Sequence, residues 1–200
     1  MSSLPIDRER FSFDYIETLC DVLHDLPTKD IDGVLRLLER AFVERRQVFI
    51  AGNGGSAATA SHMANDLAKG VAEVGGRGFR AIALSDNVPL ITAIANDKSY
   101  EEIFADQLSM LGQAGDVLIV ISGSGNSTNI VRAVEVAQHI QITTIALLGM
   151  GGGQVAKMAD ISVIVPSDDY GPIEDIHMVL DHLFTAYLCH WLATGCRDAG

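Results

Sequence analysis

Five short apolar runs set between helical stretches constrain this chain more than any other feature. They are QVFIA (47–51), FRAIAL (79–84), DVLIVI (116–121), ITTIALL (142–148) and ISVIV (161–165). These runs do not alternate apolar with polar, as a strand covered on one face would. They are apolar nearly throughout, which predicts strands buried on both faces. Helical patterns lie between them, at 56–72, at 88–113 with a break near Asn96, at 127–139, and as a short turn at 153–159. Strands alternating with helices demand right-handed crossovers and a parallel sheet. The expectation is an α/β fold: a three-layer, doubly wound, five-stranded parallel sheet of the flavodoxin-like kind. Two helices, at 9–27 and 30–46, precede the sheet, and a long one covers 172–194. No low-complexity linker interrupts residues 1–200, so one domain is expected. In helix 9–27, Phe13, Ile16, Leu19, Leu23 and Leu26 recur every three or four residues. That stripe stands ahead of the α/β core, and a second copy of the chain is expected to cover part of it.

The formal net charge of −12 and the pI near 4.7 argue against nucleic acid and anionic membranes as partners. A small anion is another matter, because helix N-termini and loop amides attract it regardless of net charge. Cys20, Cys189 and Cys196 are too few and too scattered for a disulfide framework or a zinc knuckle, and read as reduced thiols. The N-terminal MSSLPIDRERF has no apolar run behind a basic start, and no stretch reaches membrane-span length, so a cytoplasmic location is expected.

Two glycine-serine loops then attract attention. Gly52-Asn53-Gly54-Gly55-Ser56 follows the first strand, and Ser122-Gly123-Ser124-Gly125-Asn126-Ser127-Thr128 follows the third. In a flavodoxin-like order the sheet reverses between those two strands, so both loops should face one crevice beyond the strand C-termini. The second offers hydroxyls and the amides of a helix start, a cradle suited to phosphate. Gly52 to Ala57 also fits G-x-G-x-x-A, but no acidic residue ends the second strand, Asp86 coming too late for a dinucleotide site. There is no G-x-x-x-x-G-K-[ST]. The plain alternative is two ordinary turns capped by serines. GMGGG at 149–153 reads as such a turn.

The ionisable residues divide between two helices. His62 and Asp66, four apart, share one helix face and suit metal ligation or acid–base work, or simply a solvated surface pair. The last helix supplies Glu174, Asp175, His177, Asp181 and His182. Spacing favours Glu174 with His177, while Glu174 and His182 lie about 12 Å apart along a straight helix, awkward for one metal ion. His177 also reads as a satisfied buried histidine. Asn96-Asp97 is either a helix end or a polar pair turned toward the crevice.

Taken together, AGNGGSA, HMANDLAKG, ALSDNVPLITAIAND, GDVLIVISGSGNSTNIVRAVE and IEDIHMVLDH resemble the sugar isomerase (SIS) domain family, and within it the phosphoheptose isomerases. The resemblance spans about residues 48–190, and the two leading helices suit it. It implies aldose–ketose conversion of sedoheptulose 7-phosphate to D-glycero-D-manno-heptose 7-phosphate through an enediol, in the synthesis of bacterial lipopolysaccharide or capsule heptose. It further implies phosphate held by Ser122, Gly123, Ser124 and Ser127, and open-chain sugar held by Asn53, Gly54, Gly55, Ser56, Asn96, Asp97 and Glu174. Zinc or another divalent metal would sit on His62, Asp66, Glu174 and His182, with Asp66 and His182 as the acid–base pair. A homotetramer is implied. Other family members isomerise different sugar phosphates, or bind sugar phosphates or replication-initiation partners without catalysis; retention of both histidines favours an enzyme.

The chain departs from the family pattern in four places. Asp66 stands for glutamate, one methylene shorter, which displaces a base by about 1 Å. Glu174 stands for glutamine, which adds a negative charge. Gly123 replaces a threonine, and Lys69 lies one position from an expected arginine.

Overall fold

The computed structural model describes residues 7–195, and Cys196 lies outside them. Five strands, β1 (Gln47–Gly52), β2 (Arg80–Ala83), β3 (Val117–Ser122), β4 (Thr143–Leu148) and β5 (Ile161–Ile164), form one sheet in the order β2-β1-β3-β4-β5. Every neighbouring pair is parallel. The reversal of strand order falls between β1 and β3, with Gly52 registered opposite Ile121. The expected doubly wound fold is therefore present, and both glycine-serine loops leave the same edge of the sheet.

β1, β3 and β4 read as unbroken apolar runs because each face has its own core, whereas edge strand β2, expected to be covered on both faces, is exposed at Arg80 and Ile82. Val48 and Ile50 of β1, Ile119 and Ile121 of β3, and Ile145 and Leu147 of β4 point to one side. They meet α1 (Arg8–His24), α2 (Thr28–Val43), α3 (Gly55–Asn65) and the long α8 (Tyr170–Thr194). Phe49, Ala51, Leu118, Val120, Ala146 and Leu148 alternate to the other side. There they meet α5 (Val88–Asp97), α6 (Ala105–Leu111) and α7 (Thr128–His139). The strands of a two-faced sheet carry no polar side to mark, which is what the sequence pattern records.

Two local stretches differ from the sequence expectation. The helix expected at 56–72 is not continuous: α3 passes into a π-helical turn at Asp66–Gly70 and then into α4 (Val71–Gly75). Within this turn the Leu67 carbonyl also accepts from the Phe79 N–H at 3.0 Å. The chain can return that closely only because residue 78 is glycine; a Cβ there would lie 1.7 Å from the Ala68 carbonyl oxygen. The stretch at 88–113 breaks near Asn96 as expected: α5 stops at Asp97, a 3₁₀ turn follows at Tyr100–Glu102, and the run ends as α6. The short helix expected at 153–159 is only a 3₁₀ turn at Val155–Lys157, and a second such turn lies at Met150–Gly152.

The glycine run is more than an ordinary turn. The Gly125 carbonyl accepts from the N–H groups of Gln154 and Val155, both at 3.1 Å, and the Gly149 N–H donates to the Gly123 carbonyl at 3.0 Å. A Cβ on Gly125 would stand 2.1 Å from the Gly152 carbonyl oxygen, and Gly125 has φ +61°. Residues 149–153 thus brace the second loop backbone to backbone, an approach only glycine permits.

On α1 the expected apolar stripe is divided. Leu19 and Leu23, with Leu26 just beyond the helix, pack against the core, whereas Phe13 and Ile16 are 55% and 58% exposed. His177 of α8 is fully buried, as one reading of the sequence expected, but neither ring nitrogen makes a hydrogen bond. Burial is the main cause of its pKa falling to about 4; the nearby Leu148 carbonyl, outside good hydrogen-bond geometry, offsets only part of that.

Two outcomes follow from these contacts. Because His177 has a folded-state pKa below its free value of 6.5, it contributes stability above that value and loses it as pH falls toward 4. The wild-type chain should lose about 2 kcal/mol more than His177→Leu between about pH 7 and pH 5, read from urea midpoints at both pH values. Gly125→Ala should destabilise the fold by roughly 1–3 kcal/mol, through positive-φ strain and collision with the Gly152 carbonyl, in the same assay.

Candidate functional site

The two loops meet as expected across the β1/β3 junction. Between them lies a cavity of about 170 Å³ lined by Asn53, Ser56, Ser122, Gly123, Ser124, Ser127, Tyr170 and Glu174, with Ile121 at its floor. Seven of these were singled out in the sequence. The N-termini of α3, α7 and α8 all open onto the cavity, bringing three positive dipole ends to one place.

The hydroxyls of the second loop first order the loop itself. Ser122 Oγ accepts from the Gly125 N–H at 3.1 Å, and Ser124 Oγ accepts from the Asn126 N–H at 3.3 Å. Both hydroxyl protons remain available to donate. Ser127 occupies the N-cap position of α7 but makes no side-chain cap bond, so its hydroxyl is not committed to the helix. Gly123, where the family carries threonine, is filled from elsewhere: a Cβ there would lie 2.8 Å from the Tyr170 ring. Tyr170 thereby becomes part of the cavity wall, a contribution with no signal in the local sequence.

In the first loop, Gly54 sits at φ +56°, a conformation that suits glycine. Asn53 is held by a reciprocal amide pair with Asn129, both bonds 2.8 Å, and accepts a third bond from the Tyr100 hydroxyl at 3.0 Å. Asn129 and Tyr100 escaped notice in the sequence because each is paired only through the fold. Asn96 and Asp97 are exposed and hydrogen-bond each other at 2.8 Å; they do not line this cavity. They terminate α5, which was one of the two readings.

A second constellation lies farther along α3 and α8. His62 Nε2 is 3.2 Å from His182 Nε2, 3.4 Å from Asp66 Oδ2 and 4.0 Å from Asp181 Oδ2. One donor atom from each of these four residues falls within 4.8 Å of all the others. Asp66 is steadied by a 3.1 Å bond from the Asn65 side-chain amide, so its shorter side chain still reaches the cluster. Burial, then the neighbouring Asp66, push the Asp181 pKa up to about 7, while His62 opposes the rise. Two imidazoles and two carboxylates make a donor set suited to a divalent cation.

Three members of the expected ligand set, His62, Asp66 and His182, lie together in the chain. Glu174 does not join His62, Asp66 and His182 within the chain. It lies at the cavity, where a Cβ on Gly55 would fall 2.6 Å from either carboxylate oxygen. Eight helical residues separate it from His182, about 12 Å at 1.5 Å per residue along α8. Lys69, one position from the expected arginine, pairs with Glu73 at 2.7 Å on the surface.

A larger cleft, about 800 Å³, lies elsewhere. It runs along edge strand β2 between Ile82, Leu90, Met110 and Leu111. Its walls are mainly apolar and hold none of the clustered histidines.

Comparison with known proteins agrees with this arrangement. A model of the SIS domain matches residues 13–149. A phosphoheptose isomerase of Sulfurimonas denitrificans is 42% identical over 158 residues, covering 76% of this chain and 78% of that one. Another, from Shewanella denitrificans, is 38% identical over 181 residues, covering 88% and 91%. Among solved structures, a phosphoheptose isomerase of Francisella tularensis superposes with a TM-score of 0.82 at 31% identity, covering 95% of this chain and all of that one. One from Neisseria gonorrhoeae gives the same TM-score and identity over 90% of this chain. No described helix is long and apolar enough to cross a membrane. The chain belongs to the SIS domain family and, within it, to the phosphoheptose isomerases.

Proposed function

We propose that this chain is an aldose–ketose isomerase that converts sedoheptulose 7-phosphate to D-glycero-D-manno-heptose 7-phosphate with the help of a divalent metal. The observation that carries the reading is the alignment of two unlike sites along one pair of helices. Gly55 and Glu174 touch at the cavity, and His62 and His182 touch farther on. The helices therefore run side by side in the same direction, and seven to eight residues, roughly 10–12 Å, separate the two contacts. An anion pocket at one end and ionisable groups at the other suit an extended sugar phosphate.

In this reading Ser122, Ser124, Ser127 and the start of α7 take the phosphate. Binding there fixes the far end of the sugar and so orients the reacting end, which lowers the entropic part of the barrier. The Asp66 carboxylate removes a proton from C1, next to the ketose carbonyl, and returns it to C2, so that an enediol lies between. His182 exchanges protons with the two substrate oxygens. When bound, a divalent cation at His62, Asp66 and His182 supplies a Lewis acid that polarises the carbonyl. The exposed Phe13 and Ile16 of α1 support the inference that a second copy covers that face in a homotetramer, with α1 and α2 at the contact.

The direct test is incubation with sedoheptulose 7-phosphate and zinc, followed by NMR. The aldose product is expected, and absence of turnover with several divalent metals would refute the reading. His182→Ala should lower kcat by about 100-fold or more with little change in KM. Ser124→Ala should act mainly on KM, raising it about tenfold, through loss of a hydrogen bond to a charged group. In light scattering the wild-type chain should exceed monomer mass, and Phe13→Asp with Ile16→Asp should reduce it.

A further inference from the structure

The cavity between the two loops suits an anion, yet among the described residues no arginine or lysine lines it, and Glu174 adds a negative charge to its wall. A phosphate group seated there depends on hydroxyls, amides and helix ends, so each further donor counts. Ser56, Ser122, Ser124 and Ser127 contribute hydroxyls, and one more belongs to Tyr170. The chain has four tyrosines. Tyr15, Tyr100 and Tyr187 donate to Asp175, Asn53 and Glu39. The Tyr170 hydroxyl has no such partner among the described residues. Tyr170 is 57% exposed, so its hydroxyl keeps contact with solvent and can exchange water for a ligand oxygen.

Tyr170 and Gly123 are a matched pair. Gly123 is not among the glycines at positive φ, so its backbone admits a side chain. What excludes one is the Tyr170 ring. A Cβ on Gly123 would lie 2.8 Å from Cε1 and 3.0 Å from Cδ1, and the next neighbour, Ile173 Cγ2, is 3.9 Å away. The ring is held there from the first turn of α8, which is secured twice. Asp169 caps it by accepting from the Gly171 N–H at 3.4 Å, and the Tyr15 hydroxyl of α1 donates to Asp175. We propose that Tyr170 is a substrate-binding residue: its ring takes the place of a side chain at residue 123, and its phenol proton is donated to the substrate phosphate. This rests on the reading that the second loop holds the phosphate, and it restores from α8 the hydroxyl that the loop lacks at Gly123. The donor is neutral, so its contribution is one charge-assisted hydrogen bond to a phosphate monoester.

Phosphate affinity tests the pairing without any turnover. Inorganic phosphate would be titrated into isotope-labelled protein and the amide signals of the second loop followed by NMR, which localises binding to that loop. The proteins compared are wild type, Tyr170→Phe, Tyr170→Ala, Gly123→Thr, and Gly123→Thr combined with Tyr170→Ala. Tyr170→Phe is expected to weaken phosphate binding about tenfold, the loss of one hydrogen bond to a charged group. Tyr170→Ala should weaken it at least as much. In Gly123→Thr the new side chain displaces the ring and brings its own hydroxyl. Tyr170→Ala should therefore cost less than about twofold in that background, and the double variant should bind within about threefold of wild type. The urea midpoint of Tyr170→Phe should match wild type, because the hydroxyl it removes bonds to no described protein group.

The proposal is overturned if the wild-type loop takes up no phosphate, if Tyr170→Phe binds it as tightly as wild type, or if Tyr170→Ala costs the same in both backgrounds. A lowered urea midpoint with unchanged affinity would reduce Tyr170 to a packing residue and overturn it equally. Should the threonine variants fold poorly, the comparison of Tyr170→Phe with wild type decides alone. The two readings fail separately. Absence of sedoheptulose 7-phosphate turnover by a wild type that binds phosphate would remove the isomerase and leave the Tyr170 assignment standing. Turnover with an unchanged KM in Tyr170→Phe would remove the assignment and leave the isomerase.

Discussion

The side-by-side packing of α3 and α8 is the contact on which the rest of the molecule depends. Both helices begin beyond the C-terminal edge of the sheet and share the larger core, through Ala60, Met63 and Ala64 on one side and Ile173, Ile176, Leu180 and Phe184 on the other. Small residues along α3 let the axes approach, since the spacing of packed helices follows the side chains between them. Close approach at the start brings Glu174 against Gly55, and close approach two turns later brings His182 to His62. A bulkier first turn of α3 would separate both pairs together.

Charge is distributed along that helix pair with a clear logic. The chain is strongly acidic overall, yet the cavity end collects three helix N-termini and the serine hydroxyls, which favour an anion. The other end collects two carboxylates and two imidazoles, which favour a cation. The loops are held open for this by backbone contacts rather than by their own flexibility. Gly125 is clamped by residues 152–155, and Asn53 by Asn129 and Tyr100, so the anion pocket exists before any ligand arrives. Preformed donors lose little entropy on binding, and this is the advantage of anchoring glycine loops that would otherwise be mobile.

Much of this was legible in the residues themselves. The unbroken apolar runs of β1, β3 and β4 announced a sheet covered on both faces, and the order of strands and helices left few topologies open. Ser122, Ser124, Ser127, Asn53 and Ser56 could be assigned to one crevice because a reversal of strand order opens a crevice beyond the strand C-termini at that point. His62 and Asp66 share a face by helical periodicity alone, and His182 by family resemblance. Less could be read where a residue acts through a distant partner. Tyr170 fills the space left by Gly123, Asn129 pairs with Asn53, and Phe79 bonds to Leu67 in the π-helical turn; each needs two segments far apart in the chain.

Glu174 and Asp181 mark the boundary most sharply. Both are carboxylates on one helix within reach of histidines in the sequence, and nothing local ranks them. Periodicity determined that Glu174 and His182 are too far apart along α8 to serve one ion without help, and that Asp181 adjoins His182. It could not determine which way the helix faces. That orientation is set by Ile173, Ile176, Leu180 and Phe184 seeking the core, and burying them turns Asp181 inward beneath His62 while Glu174 turns to the cavity. The sequence alone thus determined the strands, the loops and the kinds of chemical group present. Tertiary packing decided which carboxylate meets the histidines, because hydrophobic burial sets the rotation of a helix and the polar residues follow it.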